Sequence, residues 1–504
     1  PKIMFEGQPK GLYALALANT GERFGYYTML AVFTLFLKDN FAFSEATAGV
    51  IYSVFLGLVY FLPLFGGMLA DKFGFGKMVT IGITIMFIGY LLLSIPLGSG
   101  TAAICAMGGA LLLICFGTGL FKGNLQVLVG NLYDEKKYAS KRDSGFSIFY
   151  MAINIGALFA ATAAVEIMRY VQENFGISKA DSYQYAFAIA CFSLIVSIAI
   201  YYFFRSKFKN ADKSKEKDAS NDNVEEEQLT KSETKERIVA LCLVFAVVIF
   251  FWMAFHQNGS TLTFFAEQYI VKTSSGVESM MFDVVNLVLC IVIVYSLFAL
   301  FQSKTSKGRG IATALIVLCA AGLACKYNTL PAETVIDAPI FQQFNPCFVV
   351  MLTPVSMAIF GALAKKGKEP SAPLKIGLGM LVAAVGYILM TVASLGLPAP
   401  EAQKTEQMLI SPNWLISTYL VLTFAELLLS PIGISFVSKV APPKYKGMMM
   451  GGWFVATAIG NLLVSIPSLL WGQPLVVVWG VLVGLCLLSA MFIFVILKRL
   501  EKVA

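Results

Sequence analysis

Long apolar runs alternate with short polar connectors along the whole chain. Runs long enough to cross a bilayer occupy residues 11–37, 46–70, 78–97, 101–132, 145–168 and 184–204, against the roughly 20 residues that a transmembrane helix needs. A polar stretch at 205–237, dense in Lys, Glu, Asp, Ser and Asn and without hydrophobic period, interrupts the series and reads as a cytoplasmic linker. Further runs follow near 238–265, 284–302, 310–325, 340–363, 374–396, 413–437, 448–471 and 475–498. The pattern predicts an all-α polytopic membrane protein of fourteen helices. Six form an N-terminal bundle within residues 1–204, and the rest a C-terminal bundle within 238–504 that includes an extra pair at about 284–325.

Basic residues test this threading. With the N-terminus inside, the inner connectors carry Lys72 and Lys77, Lys136 to Arg142, the linker, Lys304 to Arg309, Lys365 to Lys375, and Lys439 to Lys446. The C-terminal Lys498, Arg499 and Lys502 join them, whereas the outer connectors hold Lys38, Arg169, Lys179, Lys272, Lys326 and Lys404. Of 38 basic residues, only Arg23 and Lys122 fall away from the ends of the apolar runs, within the membrane. Such a bias predicts both termini in the cytoplasm. The short loops and the extra pair point to a monomer in lipid, in a bacterial inner membrane.

Composition narrows the class. The chain is 58% hydrophobic and 13% charged, where soluble proteins carry about 25% charged residues. The first run is too long, and too charged at its centre, to be a cleaved signal peptide. The net charge of +8 resides in connectors, so it makes no case for nucleic acid. Nine cysteines without a Cys-x-x-Cys pair, and one histidine, leave no metal or haem spacing, so no metal or cofactor is expected. The sequence lacks a nucleophile elbow and a His/Cys/Asp cluster, which argues against an enzyme. The linker is too short and polar to be the soluble domain of a sensor.

A weak internal repeat bears on architecture. Gly66-Gly-Met-Leu-Ala-Asp-Lys72, with Lys77, and Gly361-Ala-Leu-Ala-Lys-Lys366, with Lys375, close corresponding runs of the two parts. Parallel six-helix repeats predict the major facilitator fold, with twelve core helices in two halves and a substrate site between them at mid-membrane. The extra pair stands outside that symmetry.

Polar groups within the runs carry the candidate chemistry. Glu22 and Arg23 interrupt the first run, and at 100° per residue Asn19, Glu22, Arg23, Tyr26 and Leu30 fall within about a 100° arc, with Tyr27 at its margin. A charge at mid-membrane costs about 2.5–3.5 kcal/mol, so it should meet a partner or a wet cavity. Lys122, in Gly117-Thr-Gly-Leu-Phe-Lys-Gly-Asn124, needs an acid. Either it forms a static bridge with Glu22, or it waits for a substrate carboxylate. Glu426, with Ser430 one turn later on the same face, is the deepest acid of the second half. A cation in one half and an anion in the other suit a zwitterionic ligand. His256, one turn after Trp252, is either a packing residue or a proton carrier. Tyr60, Tyr150, Asn154, Asn345 and Trp453 are further amphipathic groups within spans.

Several motifs, in chain order, resemble the proton-dependent oligopeptide transporter (POT/PTR) family. They are Glu22-Arg-Phe-Gly-Tyr-Tyr27, Gly119-Leu-Phe-Lys122, Phe149-Tyr-Met-Ala-Ile-Asn-Ile-Gly156, Phe251-Trp252 with Gln257, Asn345-Pro346, and Glu426-Leu-Leu-Leu-Ser-Pro-Ile-Gly433. The likeness spans nearly the whole chain and extends to the extra pair typical of bacterial members. It implies symport of di- and tripeptides with protons by alternating access. It also implies that Tyr27, Tyr60, Lys122, Asn154, Asn345, Glu426, Ser430 and Trp453 line the peptide site. Tyr150, Trp252 and His256 complete the candidate substrate contacts. Glu22, Arg23, Lys122, Glu426 and His256 are the candidates for proton coupling.

The chain departs from the family pattern at three positions. The leading acid of the family's Glu-x-x-Glu-Arg motif is Asn19, its arginine beyond the tyrosine pair is Leu30, and its seventh-helix acid is His256. Carboxylate capture then falls mainly to Lys122, assisted by tyrosine hydroxyls. Some plant nitrate-carrying members resemble this chain in having histidine at that position. The alternative expectation is therefore another small solute, such as an amino-acid derivative or a nitrate-like anion, or an uncoupled uniporter.

Overall fold

Every apolar run forms helix, and local chemistry sets the ends. The computed structural model describes residues 7–139, 142–212 and 229–504. In chain order the helices are α1 (Lys10–Phe41), α2 (Glu45–Phe61), α3 (Pro63–Phe73), α4 (Phe75–Ser94), α5 (Thr101–Asn131), α6 (Arg142–Phe175) and α7 (Lys179–Phe203). Next come α8 (Lys231–Phe255), α9 (Thr261–Tyr269), α10 (Val284–Gln302), α11 (Ser306–Asn328), α12 (Phe344–Lys365) and α13 (Ala372–Ala393). Then come α14 (Asn413–Val440), α15 (Lys446–Leu463), α16 (Ser465–Leu469) and α17 (Leu475–Val495), and short unnumbered helices lie at Val277–Met281, Pro400–Gln403 and Leu497–Val503. Ser44, Ser178, Thr230, Thr305 and Ser371 each accept the N–H three residues on, as N-caps of α2, α7, α8, α11 and α13. Helices α2 and α3 join at Leu62, where Pro63 contributes no N–H to continue the ladder.

Among the described residues, 13 helical stretches are long and apolar enough to cross a membrane, with α2–α3, α8–α9 and α15–α16 each counting as one. Helix α1, 32 residues long with Glu22 and Arg23 buried at its middle, brings the total to the expected fourteen. The chain is an integral membrane protein. Of the expected linker, Arg205–Lys207 and Lys209–Ala211 form short 3-10 turns, and residues 213–228 lie outside the described residues. Lys231–Arg237, read from composition as linker, instead forms the first two turns of α8. The Thr230 cap and Glu233 in the first turn stabilise a polar helix end that needs no lipid.

Buried apolar side chains form two clusters, one drawn mainly from Leu12 to Phe208 and the other mainly from Ala240 to Leu500. In the first half α1 packs on α6 and α7, and α4 on α5 and α7; in the second, α13 packs on α14 and α17, and α8 on α15. The halves meet where α2 packs on α15 and α16, and where α6 packs on α12. Helices α10 and α11 pack chiefly on each other, with 22% and 11% of their apolar windows buried. That is the position of an appended pair.

Connector contacts reproduce the up-and-down threading. At the lysine-rich end, the Gly76 N–H donates to Asp212, Asn131 to the Ala211 carbonyl, Ser371 to Glu501, and Arg499 pairs with Glu236. At the opposite end Asn40 donates to the Gly98 carbonyl, Lys326 pairs with Asp283, and Thr273–Ser274 pairs antiparallel with Thr334–Val335. Ties between the halves also lie at that end. Lys38 reaches Glu267 at 3.0 Å and Glu45 at 3.4 Å, Gln268 donates to Glu45, and Arg169 pairs with Asp337.

Glycine lets the helices of the first half approach closely. A Cβ on Gly66 of α3 would stand 1.9 Å from the Gly119 carbonyl oxygen of α5, whereas one on Gly67 would meet nothing within 4 Å. Gly66→Val is expected to lower the melting temperature in detergent by several degrees, since overpacking costs about 1–3 kcal/mol. Gly67→Val should melt within about 0.5 kcal/mol of the parent. Equal melting of the two variants would contradict this contact.

Candidate functional site

The span made by α8 and α9 is not continuous. It gives way to a 3-10 turn over His256–Gly259, and Ser260 has φ −120° and ψ −105°. A break inside a bilayer frees backbone groups that water cannot satisfy, so protein must. Thr34 of α1 donates to the Gly259 carbonyl at 2.6 Å, and Thr263 and Tyr419 donate to the Asn258 carbonyl. Gln257 donates to the carbonyls of Met253 and Val464 and accepts from Thr261. Gly259 leaves room for the Tyr52 hydroxyl, which would lie 2.3 Å from a Cβ there. Broken spans of this kind mark ligand sites in transporters.

At the break, the His256 ring stacks on Trp252 with centroids 5.0 Å apart and faces Tyr60 of α2 at 5.8 Å. Its Nδ1 lies 2.5 Å from Oδ1 of Asn461 on α15. Across the Tyr60 ring sits Lys122 of α5, its Nζ 4.3 Å from the centroid. Glu22 and Arg23 also act on the amine electrostatically, but among the described residues the Glu22–Lys122 bridge, one of the two alternatives, is not formed. Glu22 instead takes two hydrogen bonds from Arg23, at 2.5 and 2.6 Å, with both residues almost wholly buried. Consecutive helix residues point about 100° apart, yet the long arginine stem curls back far enough to occupy both carboxylate oxygens. The guanidinium then lies 4.3 Å over Tyr26 and 5.8 Å from Tyr27.

From the second half, Asn345 of α12 donates to Glu426 at 3.1 Å and to Thr423 at 3.0 Å. One neutral donor leaves the Glu426 charge uncancelled. Tyr27 and Tyr150 of the first half lie within electrostatic reach of Glu426, so the two halves look onto one space. Tyr150 is 52% exposed, and Asn154 turns its amide back to the Tyr150 carbonyl. Ser430 is half-buried one turn beyond Glu426. Trp453 offers little surface: it is 4% exposed, its ring packed where a Gly433 side chain would be. Trp252 is also buried, with an unpartnered indole N–H.

Leu30 and Asn19 are buried in α1, so the space keeps Arg23 as its one guanidinium from that helix, already spent on Glu22. Asn461 and Thr423 did not emerge from the sequence. Each is a small polar residue in an apolar run, and the cost of an amide in hydrocarbon was the signal available for Asn461.

The arrangement has known counterparts. A sequence model described as the POT family matches residues 76–225, 207–324 and 312–474. An uncharacterized transporter, YclF, of Bacillus subtilis is 28% identical over 97% of this chain and 95% of its own length. The peptide transporter YePEPT of Yersinia enterocolitica is 27% identical over 91% of this chain and 87% of its own. The di-/tripeptide transporter of Lactococcus lactis is 26% identical over 91% and 89%. A crystal structure of a peptide transporter POT with sulfate shares the fold, with a TM-score of 0.75 at 22% identity over 99% of this chain and 96% of that one. A POT family transporter solved with 5-aminolevulinic acid gives 0.73 at 22% identity, over 99% and 98%. With matched segments running from residue 76 to residue 474, on a fold of two helical halves plus an appended pair, the chain belongs to the POT family.

Proposed function

We propose that the chain is a secondary active transporter that takes up di- and tripeptides together with protons by alternating access. The observation that carries this reading is the pair of opposite charges presented from the two halves, Lys122 over Tyr60 and Glu426 beside Asn345. Because Arg23 occupies Glu22, the Lys122 ammonium has no carboxylate of its own. A ligand carboxylate supplies the counter-charge that an ammonium within a membrane requires. Glu426 takes the ligand's amino group at the other end. The relatives in Yersinia enterocolitica and Lactococcus lactis, named as peptide transporters, support the substrate class. They are transporters, and the chain is not an enzyme.

In this scheme the molecule is a monomer in a bacterial inner membrane with both termini cytoplasmic, as its lysine-rich end suggests. The Lys38–Glu267 and Arg169–Asp337 pairs then close the outer side, and the cavity opens inward. Protonation of Glu426 or Glu22 weakens its hold on Asn345, Arg23 or substrate and lets the halves rock. Tyr27, Tyr60, Tyr150, Asn154, Asn345 and Ser430 line the peptide, with Trp252 and Trp453 as buried walls. A second reading, transport of another small solute or uncoupled transport, draws on the Asn19, Leu30 and His256 departures and on the relative solved with 5-aminolevulinic acid.

Proteoliposomes with acid outside are expected to accumulate a dipeptide above the external concentration. Collapse of the pH gradient should return the level to equilibration, and accumulation that survives the collapse would remove proton coupling from the scheme. A thermal-shift screen of dipeptides, amino acids, nitrate and nucleosides distinguishes the solute readings, because a ligand stabilises by mass action.

Lys122→Ala should reduce uphill uptake by about tenfold or more, since a hydrogen bond to a charged group contributes about 1.5–3 kcal/mol. Lys122→Arg keeps the charge but cannot keep the point-like geometry over Tyr60, so it should recover only part of the activity. Unchanged accumulation by Lys122→Ala would place the carboxylate site elsewhere.

A further inference from the structure

His256 and Asn461 meet where the broken span of the second half touches the first. Asn461 is fully buried, and its Nδ2 donates to the Leu56 carbonyl of α2 at 3.5 Å. A backbone carbonyl only accepts, so the amide NH2 must face α2 and the Oδ1 must face the His256 ring. That oxygen also only accepts. Nδ1, 2.5 Å away, therefore has to carry the proton, and a neutral imidazole has one N–H to give. We propose that Asn461 is a positioning residue that holds His256 as the Nδ1–H tautomer, leaving Nε2 bare toward the cavity as the acceptor for a peptide N–H next to the substrate carboxylate.

Three further contacts fix the ring in that pose. Trp252 stacks on one face at an interplanar angle of 20°, Phe255 meets the edge at 5.4 Å, and Tyr60 lies at 5.8 Å. Among the described residues Nε2 has no hydrogen-bond partner, and the residue is only partly buried, which leaves Nε2 free to accept. The charged group that acts on the ring is the Lys122 ammonium, beyond Tyr60. Among the described residues Glu22 is closed on Arg23, and Glu426, beside Asn345, belongs to the ligand's amino end, so neither carboxylate is assigned to the imidazole. A cationic donor and a neutral acceptor thus both lie against the Tyr60 ring. In a peptide, the last amide N–H and the terminal carboxylate flank a single Cα. Lys122 takes the carboxylate and His256 Nε2 takes the N–H. A family-typical acid at residue 256 would repel that carboxylate, whereas a bare imidazole nitrogen does not.

This assignment rests on the peptide reading above for the ligand, but not for the ring. The chain has a single histidine, so imidazole 15N spectra of the whole protein in lipid nanodiscs report on His256 alone. The expected spectrum at neutral pH, without ligand, is the Nδ1–H tautomer, opposite to the Nε2–H form that free histidine favours. Asn461→Leu should shift the ring to Nε2–H or to a mixture, and Asn461→Asp, which keeps an acceptor, should keep the proton on Nδ1. In uptake, alanylalanine should be preferred over alanyl-N-methylalanine, which keeps its carboxylate but carries a methyl in place of the peptide N–H, by roughly fivefold to tenfold in KM, as for one neutral hydrogen bond. Asn461→Leu should erase most of that preference with kcat changed far less. An Nε2–H spectrum in the parent protein overturns the proposal even if every variant misfolds. A tautomer indifferent to Asn461→Leu removes the positioning role. If no dipeptide binds at all, the acceptor role falls with the peptide reading, while the spectrum still decides the ring.

Discussion

An ion inside hydrocarbon costs several kcal/mol unless a partner or water meets it, and Glu22, Arg23, Lys122 and Glu426 all sit within membrane-spanning helices. The molecule answers this cost in two ways. Glu22 and Arg23 neutralise each other in a closed, bidentate pair that excludes other partners. Lys122 and Glu426 receive only partial compensation, an aromatic face in one case and a carboxamide in the other. An unspent charge is stable only next to a wet cavity, so the cleft between the halves and the charges within it require each other.

The three departures from the family pattern take on a common meaning in this light. Asn19 removes an acid that could draw Arg23 away from Glu22, and Leu30 removes a second guanidinium from the same helix. His256 removes a further acid. Each change lowers the number of fixed charges around the site. The electrostatic load that remains outside the Glu22–Arg23 pair is simpler, with one amine in one half and one carboxylate in the other.

Much of this was legible in the sequence because bilayer thickness and loop charge act on composition alone. The spans, their threading and the appended pair α10–α11 follow from runs and lysines. The breaks do not, because Pro63 lies inside an unbroken apolar run, and the polar segment His256–Thr261 is too short to divide the run around it. Lys231–Arg237 looked like linker because charge density, not capping, dominates a composition window. Charge pairing stays open in the sequence for a different reason. Glu22 could reach Lys122 or Arg23, and only side-chain geometry decides between them. Asn461 went unnoticed because a single amide in an apolar run gives no hint of which ring it faces.

The Thr34–Gly259 bond has a mechanical consequence. It ties the first helix of one half to a loose carbonyl in the other, so the halves cannot separate there without stranding that carbonyl. A single hydroxyl of this kind contributes about 1 kcal/mol, close to a fivefold bias in a two-state balance. The latch is therefore weak by design of its chemistry: strong enough to favour one orientation, and cheap enough for thermal motion to release on every cycle. A carboxylate–ammonium tie at that depth would hold too firmly to let go.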